Sequence, residues 1–212
     1  KVLGFSDHVI LPNVIQKGMR GSFDLYNDYL TSINSLKEKY KSQIKIHLGF
    51  ECEYMKRFVP FYKEILEKHE VEYLILGQHC NIMPDDSCFW YFSQRDIEYG
   101  IDCYISDLCE GIASGLFKYV AHPDLFVCSI SEFDERNEAR TRRICEAAAE
   151  NNVALEINLG KIRWLKWNGI EADFFYPYDK FWKIVSEYNI PVYIGIDAHG
   201  SQDFKITDIK FA

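Results

Sequence analysis

Short apolar runs alternate with longer stretches of helical spacing along almost the whole chain. Six runs have the length and the β-branched or aromatic content of strands, at residues 1–5, 44–50, 71–76, 116–121, 153–157 and 192–196. We expect the last of them, with Val192, Tyr193 and Ile194, to be a buried strand. The runs follow one another at intervals of roughly 30 to 45 residues, which is the scale of a strand–helix unit.

Helices are predicted in the intervals. Apolar residues recur at helical spacing from Tyr26 to Tyr40, and again from Ile97 to Ile112 after a capping box that begins at Ser93. Further helices are predicted from Pro60 to about residue 69, from Ser131 to about residue 149, and around residues 181–188. The aromatic segment 89–92 and the basic segment 161–167 show no periodicity and are predicted to be loops.

A polar side chain that could bind a metal ion or a phosphate group follows every strand-like run. In chain order these side chains are His8, Glu51, His79, His122, Asn158, Asp197 and His199. Parallel strand–helix barrels place their chemistry at the carboxyl ends of all their strands, whereas an open doubly wound sheet concentrates it at one switch point. The distribution therefore predicts an α/β fold with a closed or nearly closed barrel, built by residues 1–212 as one domain.

Imidazole and carboxylate groups dominate these strand ends. The candidate metal ligands are His8, Glu51, His79, His122, Asp197 and His199. Mixed nitrogen and oxygen ligands suit Zn, Mn or Fe better than Mg or Ca, which prefer oxygen alone. Asp197 and His199 are two positions apart and point to the same side of an extended backbone. For that pair alone, a histidine capping a loop beside an aspartate that opens a turn is an equal alternative.

Several neighbouring residues have two interpretations. Glu53 is a rival to the glutamate two positions earlier, because both could face the same side of a strand. Asp7 and Asp124 would orient imidazoles from behind, although helix capping is an equal interpretation for Asp124. His47 and His69 lie away from the strand ends and are predicted to be structural.

Positive charge follows the fifth strand of an otherwise acidic chain, at Lys161, Arg163 and Lys166. One interpretation is a phosphate clamp, with Arg163 as a catalytic residue because its fork of donors matches the geometry of phosphate. The alternative is a solvated basic loop. Trp164 and Trp167 could wall a pocket, but are expected to pack against the protein.

Composition and charge narrow the class of protein. The 212-residue chain carries a net charge of −8, which argues against a nucleic-acid or anionic-membrane surface. No apolar run approaches the ~20 residues of a membrane-spanning helix, and no signal-peptide pattern opens the chain. The seven cysteines are an odd number without a C-x-x-C pair, which indicates a reducing compartment. We therefore expect a cytoplasmic protein.

Six segments, in order along the chain, resemble motifs of the polymerase-and-histidinol-phosphatase (PHP) family of metallophosphoesterases. They are Gly4-Phe-Ser-Asp-His8, Leu48-Gly-Phe-Glu51, Ile75-Leu-Gly-Gln-His79, Ala121-His-Pro-Asp124, Leu155-Glu-Ile-Asn158 with Arg163, and Gly195-Ile-Asp-Ala-His199. The segments around Glu156 and Tyr176-Pro-Tyr178 most resemble the histidinol-phosphatase branch. The resemblance implies a distorted (β/α)7 barrel, a trinuclear metal cluster, and Glu51 rather than Glu53 as the bridging carboxylate.

The chain departs from that family pattern in its first strand. The family opens with a strand that ends in His-x-His with a nearby aspartate, and no such segment occurs here. The first strand of this chain resembles the second strand of the family. We therefore expect either a chain that lacks the first strand–helix unit or a site that is incomplete.

The resemblance implies a metal-dependent phosphomonoesterase, with histidinol phosphate, an intermediate of histidine biosynthesis, as the expected substrate. Two or three divalent ions (Zn, Mn or Fe) would provide a metal-bound hydroxide for in-line attack on phosphorus, and Arg163, Asp197 and His199 would be the catalytic residues. One alternative is a related phosphoesterase that acts on another small phosphate ester. Another is a non-catalytic binding module that keeps the barrel. The sequence does not indicate an oligomeric state.

Overall fold

Six parallel strands form the main sheet. The computed structural model describes residues 1–14, 16 and 19–204. The strands are β1 (Val2–His8), β2 (Lys45–Cys52), β3 (Tyr73–Leu76), β4 (Cys80–Ile82), β5 (Cys88–Trp90), β6 (Tyr119–Val120), β7 (Ala154–Asn158) and β8 (Val192–Gly195). The order in the main sheet is β1-β2-β3-β6-β7-β8, while β4 and β5 form a separate antiparallel hairpin.

Helices connect the strands of the main sheet. They are α1 (Tyr26–Tyr40), α2 (Val59–Glu67), α3 (Ile97–Ala113), α4 (Glu135–Asn151), α5 (Gly160–Asn168) and α6 (Asp179–Val185). Short 3-10 turns lie at Phe23–Leu25, Lys56–Phe58, Tyr91–Ser93, Leu125–Ser129 and Ser201–Phe204. Within the described part of the chain, no helix combines the length and the apolar character needed to cross a lipid bilayer.

The order of the sheet follows the order of the chain without a reversal. Every crossover therefore advances in the same direction, as in a strand–helix barrel and unlike a doubly wound sheet. The registers bring the carboxyl ends of the strands to one rim, with His8 opposite Glu51 and Asn158 opposite Gly195. The predicted α/β class and barrel-type winding are confirmed. Among the described residues β1 and β8 do not pair with each other, so the six strands form an open half-barrel.

Helix α3 buries the apolar face that its spacing predicts. The side chains on this face are at most 1% exposed: Ile101, Tyr104, Ile105, Leu108 and Ile112. The predicted helix start at Ser93 is wrong, because Asp96 is the cap and its carboxylate accepts a hydrogen bond from Tyr99 N at 3.1 Å. The predicted start of α4 at Ser131 is wrong for the same reason, since the Asp134 side chain caps that helix. A carboxylate next to the first turn stabilises both helix starts.

Two segments predicted to be loops contain regular structure. The aromatic segment includes strand β5, which pairs with β4. The basic segment lies on helix α5, which ends where Gly169 adopts a left-handed backbone with φ of 61°. Trp164 and Trp167 are largely exposed on α5 rather than packed, and Lys161 Nζ lies 4.6 Å from the Trp164 ring centre. Exposed tryptophans between cations give no amphipathic stripe, which is why the spacing did not reveal this helix.

The prediction that β8 is buried is wrong. Tyr193 is 54% exposed and Ile194 is 64% exposed. Strand β8 is at the edge of the sheet and pairs only with β7, so among the described residues it lacks the second neighbour that covers a central strand. Apolar composition predicted a strand correctly, but composition does not say whether both sides of that strand are covered.

Candidate metal centre

Three imidazoles and one carboxylate meet where β1, β2, β3 and β6 end. Glu51 Oε1 lies 3.3 Å from His122 Nε2 and 3.7 Å from His79 Nε2. The ring centres of His8 and His79 are 5.2 Å apart, and those of His79 and His122 are 5.0 Å apart. Four of the side chains that sequence analysis assigned to strand ends are therefore neighbours in space.

Two overlapping groups of side chains could each hold a metal ion. One group is His8, Glu53 and His79; the other is Glu51, His79 and His122. In each group the ligand atoms lie within 4.8 Å of one another. Mixed imidazole and carboxylate ligands suit a divalent transition metal or zinc.

Buried polar atoms without a hydrogen-bond partner support this assignment. His8 Nδ1, Glu51 Oε1 and His122 Nδ1 are buried and have no hydrogen-bond partner among the described residues. Nearly all buried polar atoms in native proteins have one. A cation against Glu51 Oε1 would satisfy that oxygen, so the residues present fit a divalent metal ion.

The charges of Glu51 and His122 are coupled. Burial alone would raise the pKa of the Glu51 carboxyl, but the imidazoles of His122, His79 and His8 lower it to about 2. Burial alone would lower the pKa of His122, but the Glu51 carboxylate raises it to about 9. Burial also lowers the pKa of His8, which keeps that imidazole neutral. Glu51 is therefore an ionised acceptor, and protons compete with a metal ion for His122.

Glu53 lies on the opposite side of His79 from Glu51. Its Oε1 is 3.1 Å from His79 Nδ1, and its Oε2 is 2.7 Å from Arg20 Nη2. Burial alone would raise the pKa of Glu53, but His79 and Arg20 lower it. The sequence had left Glu51 and Glu53 as rivals, and in the structure they face different nitrogens of one histidine. Sequence analysis did not single out Arg20, because a single arginine in a loop carries no pattern.

A cavity of about 600 Å³ opens over these strand ends. Its lining includes His8, Glu51, His122, Glu156, Asp197 and His199. Among the described residues the lining contains four acidic side chains, with Asp7 as the fourth, and neither lysine nor arginine. An anionic ligand in such a cavity would be repelled unless cations offset the carboxylates.

Asp197 and His199 also line the cavity. Asp197 Oδ1 is 3.1 Å from His199 Nε2, and the His199 side chain is 73% exposed. Neither residue belongs to the two groups above. The backbone φ is 48° at Asp197 and 34° at His122, a left-handed region that non-glycine residues seldom adopt. Strain of this kind is typical of functional sites, and here it occurs at two of the predicted ligands.

Arg163 holds the backbone next to Asp197. Its guanidinium donates to the carbonyl oxygen of Ile196 and, at 2.9 Å, to that of Asp197. Its Nε lies 3.4 Å from Asp203 Oδ1, and Asp203 in turn accepts from His199 N at 2.7 Å. Arg163 is buried and is not part of the cavity lining. Its predicted contact with phosphate stays a prediction.

Two glycines make room for carboxylates that reach across from the neighbouring strand. A Cβ atom on Gly77 would lie 1.8 Å from Glu51 Oε1, and one on Gly195 would lie 1.7 Å from Glu156 Oε1. Each glycine is two positions before a predicted ligand, in Gly77-x-His79 and Gly195-x-Asp197. That repeated spacing is a signal in the sequence that the prediction of ligands did not use.

Glu156 is a further acidic group in the cavity, outside the predicted set of ligands. Burial raises the pKa of Glu156. Its Oε2 accepts hydrogen bonds from His122 N at 3.2 Å and from Asn158 Nδ2 at 2.9 Å. Glu156 therefore fixes the backbone of one candidate ligand from the next strand.

The remaining candidates have structural contacts. Asp124 Oδ2 accepts from Tyr178 N at 2.8 Å and from Trp182 Nε1 at 3.0 Å, which ties it to the start of α6. Asp7 Oδ1 accepts from His8 N at 3.0 Å. His47 pairs with Glu72, His69 is exposed beyond α2, and neither belongs to the cavity lining.

Comparison with known families agrees with this geometry. The PHP domain profile matches residues 1–160, which include β1 to β7 and the four clustered strand-end residues. The chain belongs to the PHP domain family. The match ends before β8 and therefore covers the part of the chain that carries the histidine cluster.

Relatives of this PHP chain include histidinol phosphatases. It is 23% identical to a probable histidinol-phosphatase of Deinococcus radiodurans, over 97% of this chain and 78% of the relative. The fold is similar to that of a candidate histidinol phosphatase from Listeria monocytogenes, with a TM-score of 0.72, 18% identity, and coverage of 97% of this chain and 86% of the other. It is also similar to histidinol phosphate phosphatase from Lactococcus lactis in complex with zinc, L-histidinol and phosphate, with a TM-score of 0.67, 19% identity, and coverage of 94% and 74%. The likeness confirms the distorted barrel of the PHP fold.

Proposed function

We propose that this protein is a metal-dependent phosphomonoesterase and that its substrate is histidinol phosphate. The cluster of His8, Glu51, His79 and His122 carries this proposal, because it brings side chains that could hold a metal ion to the edge of an acidic cavity. Such a cavity accepts a phosphate ester only when cations are bound. The substrate is inferred from the relatives, one of which was solved with zinc, L-histidinol and phosphate.

The predicted site residues would have different roles. His8, Glu51, His79 and His122 would hold two or three divalent ions, with zinc as the first candidate and Mn or Fe as alternatives. Asp197 and His199, which also line the cavity, would complete the site. Bound divalent ions would polarise the phosphoryl oxygens and activate the attacking water.

Proton transfer to the leaving group needs an acid at the mouth of the cavity. His199 is exposed there, and Asp197 lies 3.1 Å from its Nε2. We assign leaving-group protonation to this pair. Arg163 would support the pair through the backbone of Asp197 rather than by direct contact with phosphate, because its donors already bind the carbonyl oxygens of Ile196 and Asp197.

The test is phosphate release from histidinol phosphate and from p-nitrophenyl phosphate, measured with zinc and after treatment with EDTA. We expect strong preference for histidinol phosphate and loss of turnover without metal. The His79→Ala variant should lose both activity and bound metal. His47→Ala is the matched control, since His47 is on β2 but pairs with Glu72 outside the cavity.

Other outcomes would change the assignment. Metal-dependent turnover of the aryl ester alone would keep a phosphoesterase and discard this substrate. Bound metal without turnover of either ester would favour a binding module built on the same fold. Retention of metal and activity by His79→Ala would refute the assigned site.

A further inference from the structure

Arg20 and Glu53 form an ion pair that is closed off from solvent behind the candidate metal centre. The pair is 2.7 Å long, and neither side chain has any exposed surface. Arg20 lies in the segment between β1 and the turn at Phe23–Leu25, and Glu53 directly follows β2. A buried ion pair is expensive in desolvation, so it is weak evidence for a role in stability alone.

The guanidinium of Arg20 is held on several sides. Its Nε donates to Gln16 Oε1 at 2.6 Å, and its Nη1 donates to the carbonyl oxygen of Val9 at 3.1 Å. Val9 follows the candidate ligand His8, and Val9 N donates to the carbonyl oxygen of Glu51 at 2.8 Å. Arg20 therefore has a fixed position relative to the ends of both β1 and β2.

Glu53 in turn fixes the orientation of His79. One carboxylate oxygen faces Arg20, and the other lies 3.1 Å from His79 Nδ1. An ionised carboxylate can only accept hydrogen bonds, so His79 Nδ1 must carry the proton. In a neutral ring the lone pair is then on Nε2, the atom that lies 3.7 Å from Glu51 Oε1.

We propose that Arg20 is a positioning residue for the metal centre: by pairing with Glu53 Oε2, it holds the other oxygen of that carboxylate against His79 Nδ1, so that Nε2 of His79 stays turned towards Glu51. This inference rests on the metal site proposed above. Without Arg20, Glu53 Oε2 would lose its ion-pair partner, and the carboxylate could leave its position against His79 Nδ1. The His79 ring would then no longer be held with Nε2 towards Glu51.

A competing role for Glu53 makes the opposite prediction. Glu53 could itself be a ligand, in the group with His8 and His79. An arginine 2.7 Å from the same carboxylate would then compete with the cation, and its removal would strengthen metal binding. The direction of the change in metal affinity on removal of Arg20 therefore separates the two roles.

The experiment measures zinc affinity by competition with a chelator in the wild-type protein, Arg20→Met and Arg20→Lys. We expect Arg20→Met to weaken zinc binding by about 10- to 100-fold, as for other residues that orient metal ligands. Arg20→Lys keeps the positive charge and should restore most of the affinity. Arg140→Met is the matched control: Arg140 is also buried, but pairs with Asp102 and Glu98 between α3 and α4 and should leave zinc affinity unchanged.

The tautomer of His79 can be measured in the wild-type protein itself. In metal-free wild-type protein, at a pH where the ring is neutral, ¹⁵N NMR of His79 should show the proton on Nδ1. A proton on Nε2 would overturn the inference even if Arg20→Met does not fold. Unchanged or tighter zinc binding in folded Arg20→Met would overturn it too. Absence of zinc binding in the wild-type protein would instead count against the proposed function, while the NMR result would still judge the role of Arg20 and Glu53.

Discussion

The ends of β2 and β8 show how one sequence pattern leads to two different environments. Both strands are apolar runs followed by acidic candidate ligands. Strand β2 pairs with β1 and β3, and Glu51 at its end is surrounded by imidazoles. Strand β8 pairs only with β7, its apolar side chains are exposed, and His199 beyond it faces solvent. A central strand positions its ligand through its neighbours, whereas the edge strand depends on Arg163 and Asp203.

The sharpest test of the central strands is Gly77→Ala. The added Cβ atom would lie 1.8 Å from Glu51 Oε1, so Glu51 would have to move out of the cluster. We expect zinc affinity and phosphatase activity to fall by about 100-fold or more. Gly115→Ala is the control, because nothing lies within 4 Å of a Cβ there. An alanine in the left-handed backbone conformation of Gly115 should lower the free energy of unfolding by about 1–2 kcal/mol without affecting zinc binding. Normal zinc affinity in Gly77→Ala would show that Glu51 is not a ligand.

The pH dependence of stability should come from the central cluster. The pKa of His122 is about 9 in the folded metal-free protein, above its ordinary value of 6.5. The contribution of protonated His122 to the free energy of unfolding is therefore complete below pH 6.5 and is lost as the pH rises through 9. In thermal melts of EDTA-treated protein, the free energy of unfolding should decrease by up to about 3 kcal/mol across this pH range.

Zinc should reverse this trend, because deprotonation favours metal binding to His122. His199→Gln should leave the slope of the metal-free protein unchanged, since His199 is exposed at the edge strand. A flat melting temperature between pH 6.5 and 9 in the metal-free protein would mean that Glu51 and His122 are not coupled.

Arg163→Met tests the support of the edge strand. Loss of the guanidinium leaves the carbonyl oxygens of Ile196 and Asp197 without their donor, at a cost of about 1–3 kcal/mol in unfolding free energy. We expect activity to fall by about tenfold, since Asp197 loses its position, while zinc affinity stays close to that of the wild-type protein. Arg142→Met removes a surface ion pair with Glu187 and should cost less than about 1 kcal/mol with no effect on activity. A large loss of zinc affinity in Arg163→Met would place Asp197 among the tight ligands.

The smallest effect is expected from the apolar side chains of β8 itself. Ile194→Ala should change the unfolding free energy by less than about 1 kcal/mol, because Ile194 is mostly exposed. Leu48→Ala on β2 should cost about 2–5 kcal/mol, since Leu48 is 1% exposed. Chemical denaturation of both variants makes the comparison directly. Equal losses would mean that a further element covers β8 in solution.

Much of the fold could be predicted from the periodicity of apolar residues. The buried face of α3 and the six strand positions follow from the spacing of apolar residues, because helices and strands repeat with different periods. The helix starts at Asp96 and Asp134 were missed because several polar residues compete for each cap. Helix α5 was missed because its exposed tryptophans and cations hide the helical period.

The candidate ligands were also accessible, as strand-end residues whose order along the chain matches a family pattern. His8, Glu51, His79 and His122 do meet in space, because parallel strands bring their carboxyl ends to one rim. The pairing of Glu53 with Arg20 was not accessible. Those residues are 33 positions apart and share no periodic pattern, and only the fold makes them neighbours.

The sequence by itself determined which segments are strands and helices, and which residue types stand at the strand ends, because these depend on local spacing and chemistry. Tertiary structure decided which strand lies at an edge, which nitrogen of His79 faces Glu53, and that no lysine or arginine among the described residues lines the cavity. Those properties depend on contacts between segments that are distant in the chain. The mutual attraction of Glu51 and His122 then sets their charges against the effect of burial, and that attraction is strong because water is largely excluded from both groups.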